Sequence, residues 1–498
     1  MATNPFSRIL IANRGEIAVR LVRACREMGI SPAVAYAPID RDTLAVELAD
    51  VAVELLGDTP RACYLDIEGL LAAAHKVGAQ AVHPGYGFVS ENAEFSRRCR
   101  ESGLTFIGPS PEVIYGLGNK NQARKLMTSA GLPVVPGTDD PIPTVDGAVE
   151  AAKKIGYPIL IKASGGGGGR GMRKVANEAE LRQAFPQARS ESQAAFGSGD
   201  LFLERYVERP RHVEIQVIGD SHGNAIYLGE RECSIQRRFQ KMIEEAPSPV
   251  VTPELRERMG QAAVAGAKKL KYCGAGTFEF LVDAQLNFYF LEVNTRLQVE
   301  HPVTEQITGL DLVKLQIRVA QREELPLQQS DVELRGWAME CRITCEDPYR
   351  GFLPTPGRIE RLHLPAGPGI RVDTHLYQGY EVPGSFDSMV AKLIATGRDR
   401  EEARVRMLVA LREFQLAGIS HTIPFHIAVL EHPEFIAGHL TTHFLPEHLP
   451  KLTKNVSPDQ LDQGALLAAL EGRLGESAVA SGGSGPGEAQ LWKMAGRR

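Results

Sequence analysis

Short apolar runs alternate with helical periodicity at the start of the chain. Residues 9–12 form an apolar run, and residues 17–25 then place apolar side chains at helical spacing. Residues 33–36 and 81–83 are further apolar runs, separated by helical stretches. This order predicts a parallel α/β unit. Because ligands bind where the strands of such a sheet end, the loop at residues 83–87 is a candidate site.

The pattern changes after a helical segment at residues 120–131. Prolines at residues 133 and 136 indicate a boundary, beyond which a strand over residues 157–162 leads into five consecutive glycines. A third region, residues 207–449, alternates helices with strand-like pieces, which are residues 213–217, 287–291 and 358–362. The remainder is rich in Gly, Ser and Ala and predicts a mobile tail.

Composition narrows the class of protein. The 498 residues, 43% hydrophobic and 23% charged, are typical of a folded protein with several packed units. A net charge of -5 argues against nucleic acid as the main partner. Seven cysteines without a C-x-x-C pair predict reduced, mostly buried thiols. The first apolar run is too short for a signal peptide or a membrane span, so we expect a cytoplasmic protein with no membrane partner.

The glycine run at residues 165–171 carries the strongest chemical signal. It lacks the ending of a Walker A motif, and it does not have the spacing of a dinucleotide fingerprint. Backbone amides without side chains can close over phosphate oxygens, and Lys162 just upstream can supply a point charge. The alternative is a flexible surface linker. Its position directly after a buried strand favours phosphate binding.

Two glutamates predict a metal site. Glu279 and Glu292 lie on strand-like segments on either side of a turn at residues 283–285. A hairpin would bring the two carboxylates together, and with the amide oxygen of Asn294 they would provide the hard ligands that Mg²⁺ prefers. Taken singly, each glutamate is typical of an outward-facing strand position. Together with a phosphate loop, the pair favours the metal.

Charged residues that follow suggest an oxyanion site. Arg296 can bind a planar oxyanion and Glu300 can take a proton, although the pair is also typical of a salt bridge at a helix start. The basic cluster at residues 236–241 is followed by two glutamates, which weakens a nucleic-acid interpretation and favours Lys241 at a phosphate or bicarbonate site. His212 is compatible with a core position or a functional one.

Five segments, taken in order, resemble the biotin carboxylase family: residues 11–18, 83–88, 162–172, 210–214 and 294–302. Other ATP-grasp ligases, such as carbamoyl phosphate synthetase, share the nucleotide chemistry but do not carry this combination. The resemblance implies an α/β fold with an α+β C-terminal part, in the three-domain ATP-grasp biotin carboxylase architecture. Its parts would be an N-terminal α/β domain (1–118), a helical linker (119–133), an ATP-grasp lid (134–206), a body with the C-terminal domain (207–449) and a partly disordered tail (450–498).

The resemblance also implies roles for individual residues. The ATP site would use phosphate contacts, adenosine contacts and metal ligands, namely Lys120, Lys162, Gly168 and Gly169, then Glu204, Arg205, His212 and Gln236, then Glu279, Glu292 and Asn294 for Mg²⁺ or Mn²⁺. The second site would bind bicarbonate and biotin, through Arg296, Gln298 and Val299 beside Lys241, with Glu300 as the base, Arg342 at the ureido oxygen of biotin and Tyr86 near its ring.

The implied activity is ATP-dependent carboxylation of biotin by bicarbonate through carboxyphosphate, the first half-reaction of an acyl-CoA or pyruvate carboxylase, as in acetyl-CoA carboxylase of fatty acid biosynthesis. Biotin would sit on a separate biotin carboxyl carrier protein, and we expect no biotin on Lys493. The other implied partners are carboxyltransferase subunits and a second copy in a homodimer. Another ATP-grasp carboxylate ligase is the alternative. A nucleotide-sensing protein without catalysis is disfavoured, because Lys241, Arg296 and Glu300 are all present.

The chain departs from the family pattern at three places. Phe239 stands where the family has histidine, so we expect a weakened ribose contact. Asn119 replaces a common aspartate, and the sequence suggests no consequence. Residues 385–389 read Ser-Phe-Asp-Ser-Met where Tyr-Tyr-Asp-Ser-Met is common, a change that we expect packing to absorb.

Overall fold

The structure is a computed structural model that describes residues 6–163 and 171–453. Phe6 to His448 belong to one compact unit, and Leu449 begins a second, of which residues 449–453 are described. Several predictions therefore lie outside the described residues: the phosphate contacts of Gly168 and Gly169, almost all of the predicted tail, and the state of Lys493. The side chain of Lys120 is also outside, although its backbone begins a helix.

The N-terminal part is a five-stranded parallel sheet in the order β3-β2-β1-β4-β5. Its strands are β1 (Arg8–Ile11), β2 (Ser31–Tyr36), β3 (Val51–Glu54), β4 (Ala81–His83) and β5 (Thr105–Phe106). Its helices are α1 (Gly15–Glu27), α2 (Leu44–Leu48), α3 (Pro60–Cys63), α4 (Ile67–Lys76), α5 (Ala93–Glu101) and α6 (Pro111–Gly118). The parallel pairing of all five strands confirms the predicted parallel α/β unit. Apolar strands buried on both faces are typical of such a unit, because they need helices on both sides of the sheet.

Helix α7 (Lys120–Ser129) connects this part to a small three-stranded sheet. The sheet has the order β7-β6-β8 and contains β6 (Ile159–Ala163), β7 (Met172–Val175) and β8 (Leu201–Arg205), with α8 (Val145–Ile155) and α9 (Glu178–Phe196). Strand β6 alternates buried and half-buried positions. Its buried residues face the two helices, whereas Lys162 points to the opposite face of the sheet.

The largest element is an eight-stranded antiparallel sheet in the order β13-β12-β9-β10-β11-β14-β21-β19. Its strands are β9 (Arg211–Gly219), β10 (Ala225–Arg237), β11 (Gln240–Ala246), β12 (Gly274–Val282), β13 (Phe288–Asn294), β14 (Trp337–Thr344), β19 (Ile370–Thr374) and β21 (Met389–Gly397). The helices that follow or cover it are α10 (Pro253–Leu270), α11 (His301–Thr308), α12 (Leu312–Ala320), α13 (Arg400–Glu413), α14 (Ile423–Leu430), α15 (Pro433–Ile436) and α16 (Phe444–Leu452). Its central strands β9 and β10 are almost wholly buried.

The single strand predicted over residues 358–362 is wrong. The chain instead forms β17 (Gly357–Arg358) and β18 (Arg361–His363), which pair with β20 (Glu381–Val382) and β22 (Gln415–Ala417). The two remaining short strands, β15 (Glu346–Asp347) and β16 (Leu353–Pro354), pair with each other. The change of partner strand occurs just after Arg358, whose backbone lies very close to Gly418. Gly418 has φ +100°, and a Cβ at this residue would clash with the backbone of Arg358.

The thiols agree with the composition. All seven cysteines are free, and six of them are buried, as predicted. No helix within the described ranges is long and apolar enough to cross a membrane.

Candidate active site

One cavity of about 1470 Å³ collects most of the predicted site residues. They come from all three parts of the chain: Tyr86, Lys162, Glu204, Arg205, His212, Gln236, Lys241, Glu279, Glu292, Asn294, Arg296, Gln298, Val299 and Arg342. Glu300 lies just behind them, with no exposed surface. Because pockets for one small ligand are commonly ~300–1,000 Å³, this cavity has room for more than one substrate.

The two predicted metal ligands lie directly opposite each other. Strands β12 and β13 form the expected hairpin, and their register pairs Glu279 with Glu292, so both side chains project from the same face. Asp283 begins the turn, and its carboxylate accepts hydrogen bonds from the backbone N–H groups of Gln285 and Asn287, both at 2.9 Å. The amide of Asn294 donates to Glu279 Oε1 at 2.8 Å. The hairpin therefore assembles the predicted set of hard ligands.

Glu279 is held in its charged form. Burial alone would raise its pKa, but Lys241 and His212 outweigh that effect and lower the pKa. Lys241 Nζ lies 2.9 Å from Glu279 Oε1, and His212 Nε2 lies 2.9 Å from Glu279 Oε2. An ionised carboxylate with a second carboxylate and an amide beside it is the donor set that a hard divalent cation requires, so these residues fit Mg²⁺ or Mn²⁺.

Lys241 is the centre of the charge cluster. Its ammonium donates to Glu214 at 2.5 Å, to Glu279 at 2.9 Å and to Glu300 at 2.6 Å, which uses all three of its hydrogens. Burial lowers the pKa of Lys241, but these carboxylates outweigh burial and hold the pKa well above its ordinary value. The side chain therefore stays a cation, as the prediction of an anion site requires.

A tight hairpin brings Lys241 into place. Strands β10 and β11 are joined by Arg238 and Phe239, whose φ angles are +49° and +65°. Two positive φ values are typical of a type I′ turn, whose twist matches that of the flanking strands. The register then places Lys241 opposite Gln236. The basic cluster is thus a hairpin end that faces the cavity, which agrees with the site predicted for Lys241.

Glu300 immediately precedes α11 and is bound by two cations. Its Oε1 accepts from Lys241, and its Oε2 accepts from Arg342 at 2.9 Å. Burial alone would raise the pKa of Glu300, but Lys241, Arg342 and Arg231 outweigh burial and hold it well below the ordinary value. The alternative of a helix-start salt bridge is wrong, because Arg296 donates instead to Glu91 at 3.1 Å and to Gln298 at 2.9 Å.

Arg342 lies between two carboxylates. It donates to Glu300 and, at 2.6 Å, to Glu244, which is fully buried. Burial lowers the pKa of Arg342, but these carboxylates outweigh burial and raise it. In the sequence, Glu244 is only a charge beside the basic cluster. In the structure, Glu244 lies on β11 directly opposite Glu340 of β14, and it is therefore inside the sheet.

Tyr86 is held by its loop. Asn13 donates to the carbonyls of Pro84 at 2.6 Å and Tyr86 at 2.7 Å, and Gly85, at φ +61°, leaves room for this amide. The Tyr86 hydroxyl donates to Glu16. Burial raises the pKa of Glu16 to about 7.

The predicted ATP contacts line the same cavity as Tyr86. Lys162 of β6 pairs with Glu204 of the neighbouring β8. Arg205 donates to the hydroxyl of Tyr289 at 2.7 Å. His212, whose site the sequence left open, contacts Glu279, and its pKa is raised because that carboxylate outweighs the lowering effect of burial.

Several residues of this site were missed by sequence reasoning. Glu214 binds Lys241, Glu244 binds Arg342, and Arg231 binds Glu214 at 2.5 Å. Lys392, with no exposed surface, lies 3.2 Å from Glu16 and donates to the carbonyl of Val299 at 2.9 Å. Glu214 alone left a signal, because it follows His212 by two residues and so shares its face of the strand.

The structure explains two of the three departures. Asn119 accepts a hydrogen bond from the N–H of Gln122 at 3.1 Å and thereby caps α7, a position where asparagine and aspartate are equivalent. Phe386 packs against Tyr64 and lies 3.9 Å from the guanidinium of Arg14, so packing absorbs the change at this position. Ser385 lines the cavity, and nothing in the structure explains that substitution. Phe239 lines the cavity and is 62% exposed.

Comparison with known proteins identifies the family. Three family models match consecutive parts of the chain: the N-terminal domain of biotin carboxylase at residues 5–114, the ATP binding domain of the carbamoyl-phosphate synthase L chain at 119–328, and the C-terminal domain of biotin carboxylase at 340–447. A biotin carboxylase of Nostoc sp. is 51% identical over 442 residues, which cover 89% of this chain and 99% of that protein. The chain belongs to the biotin carboxylase family.

The predicted fold class, function and enzyme class are confirmed: this biotin carboxylase is an ATP-dependent ligase. Its relatives include a pyruvate carboxylase subunit of Methanothermobacter thermautotrophicus, 52% identical over 89% of this chain and 90% of that protein. A solved relative is the biotin carboxylase domain dimer of Hydrogenobacter thermophilus 2-oxoglutarate carboxylase, with MgADP, ADP and bicarbonate. It has a TM-score of 0.84 and 48% identity, and the match covers 91% of this chain and 99% of that one. Such names describe subunits of larger carboxylases.

Proposed function

We propose that this chain forms carboxyphosphate from ATP and bicarbonate and then carboxylates biotin, all within the one cavity. The observation that carries the proposal is the position of Glu300, whose two oxygens accept from Lys241 and Arg342 beside the Glu279–Glu292 pair. Lys241 also contacts Glu279, so it connects the proposed base to the proposed metal site. The solved relative with MgADP and bicarbonate supports the same pair of substrates.

ATP would lie between the small three-stranded sheet and the large sheet. Lys162 would contact a phosphate, while Glu204, Arg205, His212 and Gln236 would surround the adenosine. The phosphate contacts of Lys120, Gly168 and Gly169 remain predictions from the family pattern. Because Lys162 is paired with Glu204, it would exchange that carboxylate for phosphate oxygens on binding ATP.

Glu279, Glu292 and Asn294 would hold Mg²⁺ or Mn²⁺. The ion supplies charge neutralisation at the phosphate oxygens during phosphoryl transfer. The pKa of Glu279 lies below its ordinary value, so this ligand remains ionised throughout the neutral range and competes with no proton.

Bicarbonate would bind to Arg296, Gln298 and the backbone at Val299, beside Lys241. Glu300 would accept the bicarbonate proton as an oxygen of the anion attacks the γ-phosphorus. That oxygen forms the new bond to phosphorus, and the bond from phosphorus to the β–γ bridging oxygen breaks, leaving ADP. Lys241 and Arg296 would stabilise the charge on the transferring oxygens.

Biotin would then be carboxylated near Tyr86 and Arg342. Carboxyphosphate breaks into CO₂ and phosphate, phosphate takes the proton from the ureido nitrogen, and that nitrogen attacks the carbon of CO₂. The negative charge passes through the ureido oxygen, where the guanidinium of Arg342 would stabilise it. The buried carboxylate of Glu244 fixes Arg342 in place for this task.

The wider assembly is also a proposal. Biotin would arrive on a biotin carboxyl carrier protein, a carboxyltransferase subunit would use the product, and the chain would form a cytoplasmic homodimer. Relatives include subunits named for pyruvate, 2-oxoglutarate and propionyl-CoA carboxylases. The similarity of this chain to all of them supports an acceptor chosen by the carboxyltransferase. The division at residues 118, 133, 206 and 449 likewise remains a proposal.

The test is a substrate-dependence assay on the purified chain. ADP release and carboxybiotin formation from labelled bicarbonate are measured with free biotin, ATP and Mg²⁺, and then with each substrate left out. We expect ADP release to require bicarbonate and to increase with biotin. ADP release that is independent of bicarbonate, with a carboxylate substrate in its place, would instead favour another ATP-grasp ligase.

A further inference from the structure

Arg231 is the largest fully buried side chain among the described residues, and the proposed chemistry gives it no task. It lies in the middle of β10, with its side chain 0% exposed. Its guanidinium donates four hydrogen bonds, to Glu214 Oε1 at 2.5 Å, Gln216 Oε1 at 2.7 Å, Thr304 Oγ1 at 3.0 Å and Thr277 Oγ1 at 3.1 Å. Burial of a cation costs free energy, so the presence of Arg231 in the interior, with four hydrogen-bond acceptors around it, calls for an explanation.

The four acceptors belong to three elements around the bicarbonate site, with Glu214 and Gln216 on β9, Thr277 on β12 and Thr304 on α11. Glu214 is directly opposite Arg231 on β9, and its second oxygen accepts from Lys241 at 2.5 Å. Thr304 lies one turn along α11 from Glu300. The planar fork of one guanidinium therefore links the carboxylate that orients Lys241 to the helix that begins directly after Glu300.

We propose that Arg231 is a positioning residue for the bicarbonate step, because it fixes the distance between Lys241 and Glu300. This inference rests on the roles proposed above for those two residues. The charge of Arg231 also acts on Glu300, since its attraction is one of the three that hold the pKa of Glu300 below the ordinary value.

The electrostatic part depends on every charge that faces Glu300. Burial raises its pKa, and three cations lower it: Lys241 from β11, Arg342 from β14 and Arg231 from β10. The facing acids and thiol are Glu214 from β9, Glu244 from β11, Glu340 from β14 and Cys233 from β10. Removal of the Arg231 charge leaves fewer cations against the same acids. The pKa of Glu300 should then rise, so that its ionised form is lost at a higher pH as the solution is acidified.

Two substitutions separate position from charge. Arg231→Lys keeps the charge but loses the fork, so we expect the KM for bicarbonate to rise roughly tenfold or more, with a smaller change in the KM for ATP. On acidification, the kcat of Arg231→Lys should begin to fall at the same pH as in the parent chain. Arg231→Met loses both the charge and the fork, so its kcat should in addition begin to fall at a higher pH than in the parent chain. A purely structural role would lower the melting temperature and leave the pH profile in place.

Arg256 of α10 provides a matched control, because its partner lies on the same strand as Arg231. It forms a bidentate pair with the buried carboxylate of Glu230, the residue next to Arg231, and it does not line the cavity. Arg256→Lys should lower the melting temperature without changing the KM for bicarbonate or the pH profile. Thr304→Val, which removes one acceptor at similar volume, should raise the KM for bicarbonate by about two- to fivefold.

The outcomes distinguish this inference from the proposed function. If Arg231→Met does not fold, Arg231→Lys and Thr304→Val still test the inference. It is overturned if both of these variants have the same KM for bicarbonate as the parent chain. If Glu300→Gln itself retains normal turnover, the proposed function fails first. If Glu300→Gln is inactive while Arg231→Lys and Thr304→Val behave like Arg256→Lys, only the role of Arg231 is overturned.

Discussion

Lys241 donates a hydrogen bond of 2.6 Å to Glu300 from 59 residues away in the sequence. Both groups are charged, since the pKa of Lys241 lies well above its ordinary value and that of Glu300 well below, in each case because the attraction of opposite charges outweighs burial. The cation and the base that the proposed bicarbonate step needs are therefore in direct contact.

Loss of the base or of the oxyanion ligand should stop chemistry and spare ATP binding. We expect Arg296→Ala and Glu300→Gln each to reduce bicarbonate-dependent ATP cleavage sharply, because loss of a general base alone typically costs ~10²–10⁴-fold. ATP affinity, measured by calorimetry, should change little. Arg173→Ala is the control, because Arg173 pairs with Glu191 on the surface of the small sheet. Near-normal turnover in either site variant would remove that residue from the mechanism.

The opposed carboxylates of Glu279 and Glu292 should determine the Mg²⁺ concentration that ATP cleavage requires. We expect Glu292→Gln to raise the Mg²⁺ concentration needed for half-maximal ATP cleavage by roughly tenfold or more, because a charged ligand becomes neutral. Titration of Mg²⁺ at fixed free ATP measures the shift. Glu254→Gln, at the start of α10, serves as the control. A parental Mg²⁺ requirement in Glu292→Gln would contradict the proposed ligand.

Phe239→His should tighten ATP binding. An imidazole restores a hydrogen bond worth about 0.5–1.5 kcal/mol, equivalent to roughly two- to tenfold in the ATP dissociation constant. Histidine also adopts positive φ more readily than phenylalanine, and Phe239 has φ +65°.

Phe239→Gly separates these two effects, because glycine favours the turn but makes no ribose contact. If the glycine variant binds ATP as tightly as the histidine variant, the gain comes from the turn. Unchanged or weaker binding in Phe239→His would show that the ribose interpretation is wrong.

Buried neutral histidines should make the fold sensitive to acid. Burial lowers the pKa of His83 to about 3, of His375 to about 3 and of His426 to about 4. The unfolded chain takes up these protons below its ordinary histidine pKa of ~6.5, whereas the folded chain does not. Stability is therefore present above pH ~6.5 and falls below it, by up to ~1.4 kcal/mol per pH unit for each histidine.

Urea unfolding at several pH values between about 7.5 and 5 measures this loss. His83→Asn removes one titrating group and can still accept the hydrogen bond from the N–H of Gly85. The variant should lose less stability on acidification than the parent chain. His439→Gln, at an exposed position, is the control. An equal pH dependence in His83→Asn and the parent would contradict the assignment.

Local sequence patterns predicted the structural features that depend on residues close together in the chain. The strand, loop and helix at residues 9–25 followed from apolar spacing, and the meeting of Glu279 with Glu292 followed from a hairpin with a short turn. The family resemblance is the source of the roles proposed for Lys241, Arg296 and Glu300, which composition and periodicity could not assign.

The sequence by itself determined the order of the elements and the hairpin of the proposed metal ligands, because these depend on short-range periodicity and on residue type. Only the tertiary structure decided which charges are buried together. Glu244 and Arg231 look like surface residues in the sequence, and they became interior ones when strands distant in the chain became neighbours. The division of residues 358–362 between two partner strands has the same origin, since strand pairing is chosen by long-range contacts that no local pattern records.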